Sequence, residues 1–525
     1  MAVTHISLSG APRPTLTKTR PAAPTFAAPV ARMDHAWQGL RVQLASYNAG
    51  EQFDALPLPD LTEWLIPTVS ESRQSGYATK PQPARQGNPA WQRGPREAPD
   101  LYAIAFQEFA PLPKALAGFT DSMVTRIDAE IRRTIRLHQS VVRDDHMYDP
   151  LEMGGGPENY VCLAQVSHAG RLLCVYARER PPQSPAARHR PSAAQRVKEV
   201  RTAFVGTGVG SILGNKGALG VRVTLASVEQ GGPEEVLTFV GAHLAAHDHQ
   251  VARRNEDWRQ IAQRLVFEPS SVVPLPVLQP AVNTMSSGET HAPLPEPIDT
   301  TDYALYDTHH LFVLGDLNYR VATGVPGVPS AQNIKTPEPI DAETVRSVAR
   351  SFDASRWASI MPYDQLLREH AAGRTLQGLH VPDLSLPPTY KYKAGGEMLQ
   401  FSKKRLPGWP DRILWGSSDA ARGSAAMACE LYRSLLRYTT SDHKPITAIV
   451  QLPLRIDRRS AFMRMPFVID PHWRRWRFIG VVLDRMVGYL WSFLLLFGNG
   501  HLYLALAELG LLGVLSWYWL QGRWL

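Results

Sequence analysis

A short segment near residue 310 constrains this chain more than any other. The apolar run Leu311 to Leu314 stops at Gly315, and an acid and an amide, Asp316 and Asn318, follow two residues apart. A short apolar run with a sharp end reads as a buried strand. On extended backbone, side chains at i and i+2 leave on the same side. Asp316 and Asn318 are therefore expected to point together into a pocket at the strand's end. An acid there can orient or deprotonate a water, and an amide can hold an oxyanion. The structural alternative is a strand-ending turn closed by an Asx hydrogen bond. This stretch alone leaves the two readings level.

The same pattern, a strand and then polar residues, recurs along the chain. The alternation of Val42, Leu44 and Ser46 leads to Asn48-Ala49-Gly50, and the strand Leu101 to Phe106 ends at Gln107-Glu108. Tyr160 to Val166 and Leu172 to Ala177 read as paired strands around His168-Ala169-Gly170. A glycine-rich segment, Gly206 to Gly217, precedes the strand Ala218 to Leu225, and Val236 to Ala242 runs into His243-Leu244-Ala245-Ala246-His247. Asp442-His443 precedes the strand Ile446 to Leu452. Helices are expected over 121–136, where Val124, Ile127, Ile131 and Ile135 share a face, and over 248–267, with Val251, Trp258, Ile261 and Leu265. Two more are expected over 342–352 and 357–373. Asn48, Glu108, His243, Asp316 with Asn318, Asp411, and Asp442 with His443 thus all stand beside strand ends. One such residue means little, but six such places describe a site built on a rigid sheet.

Composition narrows the partners. The 525 residues allow more than one domain. The prolines, 43 in all, are dense in three stretches, 70–99, 180–195 and 268–301, which read as insertions. A net charge of +8 favours an anionic partner: nucleic acid, an acidic membrane or a phosphorylated substrate. Cys162, Cys174 and Cys429 show neither metal spacing nor a disulfide framework, as expected of a reducing compartment. Residues 1–38 lack a secretory h-region and are expected to be a disordered tail, with organelle import as the alternative.

Together the motifs resemble the inositol polyphosphate 5-phosphatases, members of the DNase I-like endonuclease/exonuclease/phosphatase superfamily. The matching segments are FVGTGVGSILGNKGALGVRV (204–223), HLAAH (243–247), GDLNYR (315–320), PTYKY (388–392), KKRLPGWPDRIL (403–414) and SDHKPI (441–446). They stand in the family's order, and the likeness covers about 40–453 apart from the insertions. Pro410 stands where the family usually has cysteine.

The resemblance implies an α/β fold, a four-layer two-sheet β-sandwich flanked by helices, with Mg2+-dependent hydrolysis of a 5-phosphate at one end. It assigns the metal to Glu108, with Asn48 beside it and Asp442 either a further ligand or a partner of His243. Asp316 would orient and deprotonate the attacking water, and Asn318 would hold that water or a phosphoryl oxygen. His443, held by Asp411, would bond the scissile phosphate, and His243 would be a second acid-paired imidazole. Asn215 and Lys216 resemble the family's contacts to the 1-phosphate; Tyr390, Lys391, Lys404 and Arg405 resemble those to the 4-phosphate. Lys403 reads as part of a solvated basic face.

Past residue 453 the catalytic pattern ends. A basic linker over 454–477, with Arg455, Arg458, Arg459, Arg464, Arg474, Arg475 and Arg477, leads into a hydrophobic C-terminal segment, 478–525. Leu502 to Leu520 contains a single acid, Glu508, and approaches the roughly 20 residues that cross a bilayer. Met486 to Phe497 is a shorter apolar run. Either one span with an interfacial helix or a helical hairpin would make a membrane anchor, with Trp517, Trp519 and Trp524 as an interfacial belt. A buried helix pair packed on the domain is the alternative. The expected substrate is a phosphoinositide lipid, phosphatidylinositol 4,5-bisphosphate first, and the expected site a membrane facing the cytosol, the endoplasmic reticulum first. Rival readings are a soluble inositol phosphate phosphatase, a nuclease, a sphingomyelinase or a non-catalytic phosphoinositide tether. No nucleic-acid partner is expected.

Overall fold

The computed structural model describes residues 39–54, 57–66, 98–137, 159–179, 191–228, 231–273, 299–329, 336–351, 353–384, 386–418, 427–452, 461–498 and 501–520. The expected N-terminal tail, most of the three insertions, Arg455, Arg458, Arg459 and Trp524 lie outside these residues.

Eleven strands form two sheets among the described residues. The first sheet contains β1 (Leu40–Asn48), β2 (Leu101–Gln107), β3 (Tyr160–His168), β4 (Arg171–Arg178), β10 (Ala428–Ser434) and β11 (Ile446–Leu452), in the order β10-β11-β1-β2-β4-β3. The second runs β5-β6-β7-β8-β9, from Val197–Gly206, Gly217–Leu225, Glu235–His243, His310–Asp316 and Asp411–Ser417. Each sheet has one parallel pair within it, β1 with β2 and β7 with β8, and is otherwise antiparallel. Strands that run together bring their C-terminal ends to one edge. Asn48 therefore lies opposite Gln107, and His243 opposite Asp316.

The central strands are buried on both faces, which is why they read as nearly continuous apolar runs. Between the sheets, Val42, Leu44, Ala103 and Ala105 meet Leu219, Val221, Phe239, Phe312 and Leu314. The outer face of the first sheet, with Tyr102, Ile104 and Phe106, is covered by Met123, Ile127, Ile131 and Ile135 of one helix, Asp121–Arg136. The outer face of the second, with Val240, Ala242, Leu311 and Val313, is covered by Trp258, Ile261, Ala262 and Leu265 at the helix Val251–Arg264. The result is the expected four layers, helix on sheet on sheet on helix. With the short Leu112–Ala117 numbered α1, these two helices are α2 and α3.

Two expectations change. The helix expected over 357–373 is broken: Ala354–Trp357 is followed by a 3-10 turn at Met361–Tyr363 and a new helix, Gln365–Ala371. Pro362 opens the 3-10 turn, and the Asp364 carboxylate caps the new helix by accepting the Leu367 N–H, so the apolar period conceals a break. The expected linker boundary at 477/478 falls inside one continuous helix, α4 (Trp473–Phe497). A second tail helix, α5 (Leu502–Leu520), follows and contacts it.

The first half of α4 is packed on the sandwich: Trp473, Gly480, Asp484 and Gly488 are buried. Arg474 and Arg477 pair with Glu268, and Arg485 donates to the Leu116 carbonyl of α1. Beyond Tyr489 the helix is open, with Leu490, Phe493 and Leu496 exposed by 62%, 50% and 79%. Leu506, Leu511, Val514 and Trp517 of α5 are likewise exposed. By length and apolarity α4 qualifies as a membrane span, although its buried face already has a protein partner.

Candidate active site

The sheet edges described above deliver the site. Gly315 is needed for the approach of β8 to β7: its φ is +148°, and a Cβ would lie 1.9 Å from the Ala242 carbonyl oxygen. Asp316 follows at the strand's last position and is 2% exposed. Its Oδ1 accepts the Asn318 N–H at 3.0 Å, and its Oδ2 accepts Asn48 Nδ2 at 3.0 Å. The two readings of this stretch are thus both realised, one by each oxygen. Asp316 Oδ1 closes an Asx turn, and Oδ2 faces the site, 3.5 Å from His243 Nε2 and 3.8 Å from His443 Nε2.

Asn318 departs from the expected extended geometry. Its φ is +58°, a left-handed turn residue, so it does not leave a strand beside Asp316. Its amide donates to the Leu244 carbonyl at 3.0 Å, and its carbonyl accepts from Arg320. Arg320 also lies over the Tyr390 ring at 4.0 Å, and that ring packs on His443 with centroids 4.5 Å apart. Arg320 stood in the opening motif without a role. A buried guanidinium beside two site residues is what gives it one.

His443 and Asp411 form a tight pair, with His443 Nδ1 at 2.9 Å and 3.2 Å from the two carboxylate oxygens. Thr389 donates to the same carboxylate at 2.6 Å, a contact no motif suggested. Burial disfavours charge on the His443 ring, but Asp411 and Asp316 outweigh it and raise its pKa to about 9. Burial likewise opposes the Asp316 charge; His443 first, with Arg320 and Lys216, outweighs it and holds its carboxyl well below the usual range. Burial raises Asp411, with His443 pulling the other way.

His243 differs from expectation. Its nearest acids are Glu108 and Asp316, each at 3.5 Å, and Lys216 Nζ stands 2.6 Å from its Nε2. Burial, then the Lys216 charge, lowers its pKa far below the ordinary value, so this imidazole is neutral rather than an acid-paired cation. Asp442 does not pair with it. Asp442 Oδ2 binds Lys391 Nζ at 2.5 Å.

Glu108 follows β2 in a left-handed conformation, φ +49°. Its carboxylate is 41% exposed and lies 3.5 Å from His243 and 3.8 Å from Lys216. Among the described residues it accepts no hydrogen bond. Asn48, at the end of the neighbouring strand, turns its side-chain carbonyl oxygen to the Gly50 N–H at 3.1 Å, the one hydrogen bond that oxygen accepts among the described residues. A half-exposed carboxylate and an oriented amide oxygen are the hard donors that Mg2+ takes, and they fit it. A separate group of two acids and a histidine, Asp316, Asp411 and His443, has donor atoms within 4.8 Å of one another, but Asp411 and His443 already satisfy each other.

The basic residues divide. Lys216 reaches into the centre. Asn215 Oδ1 lies 3.4 Å from the Val209 N–H and helps close its own loop. Lys391 and Lys404 line a neighbouring cleft of about 800 Å3 with Glu108, Asp442 and Ser441. Lys393 and Lys403 line it too, so Lys403 is part of this cleft and not only of a solvated face. Arg405 turns to His247 and Asp248 instead.

Residues 45–449 match the family model for the endonuclease/exonuclease/phosphatase family 2. The chain belongs to that family. Among curated relatives in this family's range, it is 26% identical over 361 residues to the type II inositol 1,4,5-trisphosphate 5-phosphatase of Mus musculus, covering 68% of this chain and 27% of that protein. It is 26% identical to the type IV inositol polyphosphate 5-phosphatase 9 of Arabidopsis thaliana, covering 71% and 74%. It is 25% identical to synaptojanin-1 of Rattus norvegicus, covering 78% and 21%. The chain thus spans only about a quarter of the length of the first and third of these relatives. A solved inositol polyphosphate 5-phosphatase domain of SPsynaptojanin, in complex with inositol (1,4)-bisphosphate and calcium, aligns with TM-score 0.49 at 19% identity, over 86% of this chain and 91% of that one.

Proposed function

We propose that this protein is a Mg2+-dependent phosphatase that removes the 5-phosphate of phosphoinositides at a membrane surface. The observation that carries the reading is the Asp316 carboxylate, oriented by Asn48 and Asn318 and facing the His443–Asp411 pair across 3.8 Å. A phosphate monoester repels nucleophiles, so its hydrolysis needs charge neutralisation and a placed water. His443, cationic at neutral pH and tethered through Nδ1, has Nε2 free to donate to a phosphoryl oxygen. Neutral His243 can donate or accept beside it, and Lys216 supplies a fixed positive charge.

A carboxylate held as low as Asp316 is a weak base. Its main work is to accept a hydrogen bond from the attacking water and aim it. It takes the proton late, when the loose transition state has already passed its charge to the leaving group. Mg2+, held by Glu108 and Asn48, would neutralise phosphoryl charge. Asn318 keeps one amide N–H for the phosphoryl group. No covalent intermediate is needed, since no serine or cysteine occupies a nucleophile position.

The cleft beside the site, with Lys391, Lys393, Lys403 and Lys404, suits a substrate carrying further phosphates. The apolar tail supports a lipid, and phosphatidylinositol 4,5-bisphosphate is the first candidate. The endoplasmic reticulum is the first membrane to test, by imaging the full chain. The deciding assay measures phosphate release, with Mg2+, from that lipid in vesicles and from soluble inositol 1,4,5-trisphosphate. Release from the lipid is expected. Hydrolysis of the soluble compound alone would sink the lipid assignment, and plasmid nicking without either activity would favour a nuclease.

A further inference from the structure

We propose that Asp484, on the apolar tail helix α4, is a positioning residue for the glycine-rich loop that delivers Asn215 and Lys216. The tail then builds the site as well as anchoring it. The proposal rests on the reading of Lys216 as a ligand for substrate phosphate.

The loop from Gly206 to Gly217 is gripped from three directions. Arg253 of α3 donates to the Ser211 hydroxyl and the Gly208 carbonyl, both at 3.0 Å, and to the Thr207 carbonyl. Arg171 of β4 donates to the Gly214 carbonyl at 2.9 Å and to the Val205 carbonyl at 3.3 Å. Both hold carbonyls and leave the buried Gly214 N–H unanswered. Asp484 Oδ1 accepts it at 2.7 Å. A buried amide without an acceptor is costly, so this bond belongs to the loop's shape.

Asp484 itself is 2% exposed. Its Oδ2 stands 3.0 Å from His168 Nε2. Burying a carboxylate is unfavourable unless it is paired or hydrogen-bonded, and an anchor has no use for one. The approach is cut to fit on both sides. A Cβ on Gly214 would lie 2.5 Å from Asp484 Oδ2 and 2.6 Å from His168 Nε2. Gly480 and Gly488 stand one turn before and one turn after Asp484, on the same helix face. A Cβ at Gly480 would lie 2.7 Å from the Ile212 carbonyl oxygen, and one at Gly488 2.2 Å from the Ala117 nitrogen. Bare helix backbone therefore rests on the loop and on α1, with the acid between.

The two supported segments flank the catalytic centre. Gly214 lies two residues before Lys216, whose ammonium is 2.6 Å from His243. Helix α1 begins four residues after Glu108. A tail helix that merely tethered the enzyme would contact neither.

The test uses the full chain in detergent micelles and soluble inositol 1,4,5-trisphosphate, so that membrane attachment plays no part. Asp484→Ala is expected to raise KM roughly tenfold while kcat stays within about threefold. Amide exchange over 214–217 should accelerate in the same variant. Asp484→Asn still offers an oxygen to the Gly214 N–H and should restore both readouts to near wild type. Gly214→Ala breaks the contact from the loop side and should reproduce Asp484→Ala, even if the latter folds poorly. Unchanged exchange and KM in Asp484→Ala and Gly214→Ala would overturn the proposal, as would an Asp484→Asn variant as impaired as the alanine. Faster exchange with unchanged KM is resolved by Lys216→Ala. If that variant also leaves KM unchanged, the reading of Lys216 fails and the grip of Asp484 on the loop stands. If Lys216→Ala raises KM, the Asp484 proposal fails.

Discussion

Asp316 divides its two oxygens between structure and chemistry, and each half predicts something different. Oδ1 holds the turn to Asn318, so Asp316→Asn keeps one acceptor and should fold. It loses the full charge beside His443, and kcat should fall by about 10^2 to 10^4 with little change in KM. A variant within tenfold of wild type in phosphate release would refute the assignment. The His443 ring, with its pKa raised to about 9, is charged at neutral pH and loses its proton above that. The rate, as kcat/KM, should therefore hold through neutrality and decline on the alkaline side near pH 9. In Asp411→Asn the largest support for the cation is gone, and the decline should move toward the ordinary histidine value near 6.5. The same shift stabilises the fold fully below about pH 6.5, a contribution lost as pH rises through 9. Denaturant titrations at pH 6 and 10 would read it.

At the scale of elements, the two parallel strand pairs decide where chemistry can occur. They bring Asn48 and Glu108 to the edge of one sheet, and His243 and Asp316 to the edge of the other. Helices α2 and α3 clamp those sheets from outside, so the site's precision depends on packing remote from it. Trp258→Ala in α3 removes a fully buried ring from the outer core and should cost about 3–5 kcal/mol. Helix α4 is the element with two roles. From Trp473 to Gly488 it is a fifth, partial layer against α1 and the glycine-rich loop, and the next helix, α5, contacts it. Gly488→Leu would drive a side chain into the Ala117 backbone. It should cost about 1–3 kcal/mol in urea melts and loosen amide protection over 112–117. Equal protection in the variant would show that the docked face is not formed.

At the scale of the whole molecule, charge and apolar surface lie in different places. The basic cleft opens beside Glu108, while exposed apolar side chains run along α4, from Trp476 to Phe497, and along α5. At 1.5 Å per residue, the open end of α4 beyond Tyr489 extends only about 12 Å, against roughly 28 Å for α5. Helix α5 comes near the thickness of a hydrocarbon core, about 30 Å, while α4, which is long and apolar enough to span, is docked along one face. The full chain should sediment with vesicles, and a chain ending at residue 489 should remain in the supernatant. Co-sedimentation of the shortened chain at high salt would move the anchor elsewhere. Chelation with EDTA should abolish turnover and added Mg2+ restore it, because Glu108 otherwise faces the phosphate with a bare charge.

Much of the fold was written locally. Apolar runs such as Leu311 to Leu314 and the helical spacing of Ile127, Ile131 and Ile135 mark their elements, because burial on a pleat or a helix face imposes its own period. The strand β5 is not legible in the sequence, since its charged residues Lys198, Glu199 and Arg201 mask the alternation. Family likeness proposes the side chains of the site, but it cannot give their states. That His243 is neutral, that Asp442 binds Lys391, and that Arg320 braces Asn318 follow from burial and from neighbours far apart in the chain. The tail shows the division most clearly. Its apolar composition alone marks Leu502 to Leu520 as a segment that water disfavours. Only the folded molecule shows that Asp484 meets Gly214, because that contact joins residues 270 apart and exists only once both sheets have closed. Local patterns record what each segment can bury, whereas the protonation and pairing of a buried group depend on which distant segment comes to lie against it.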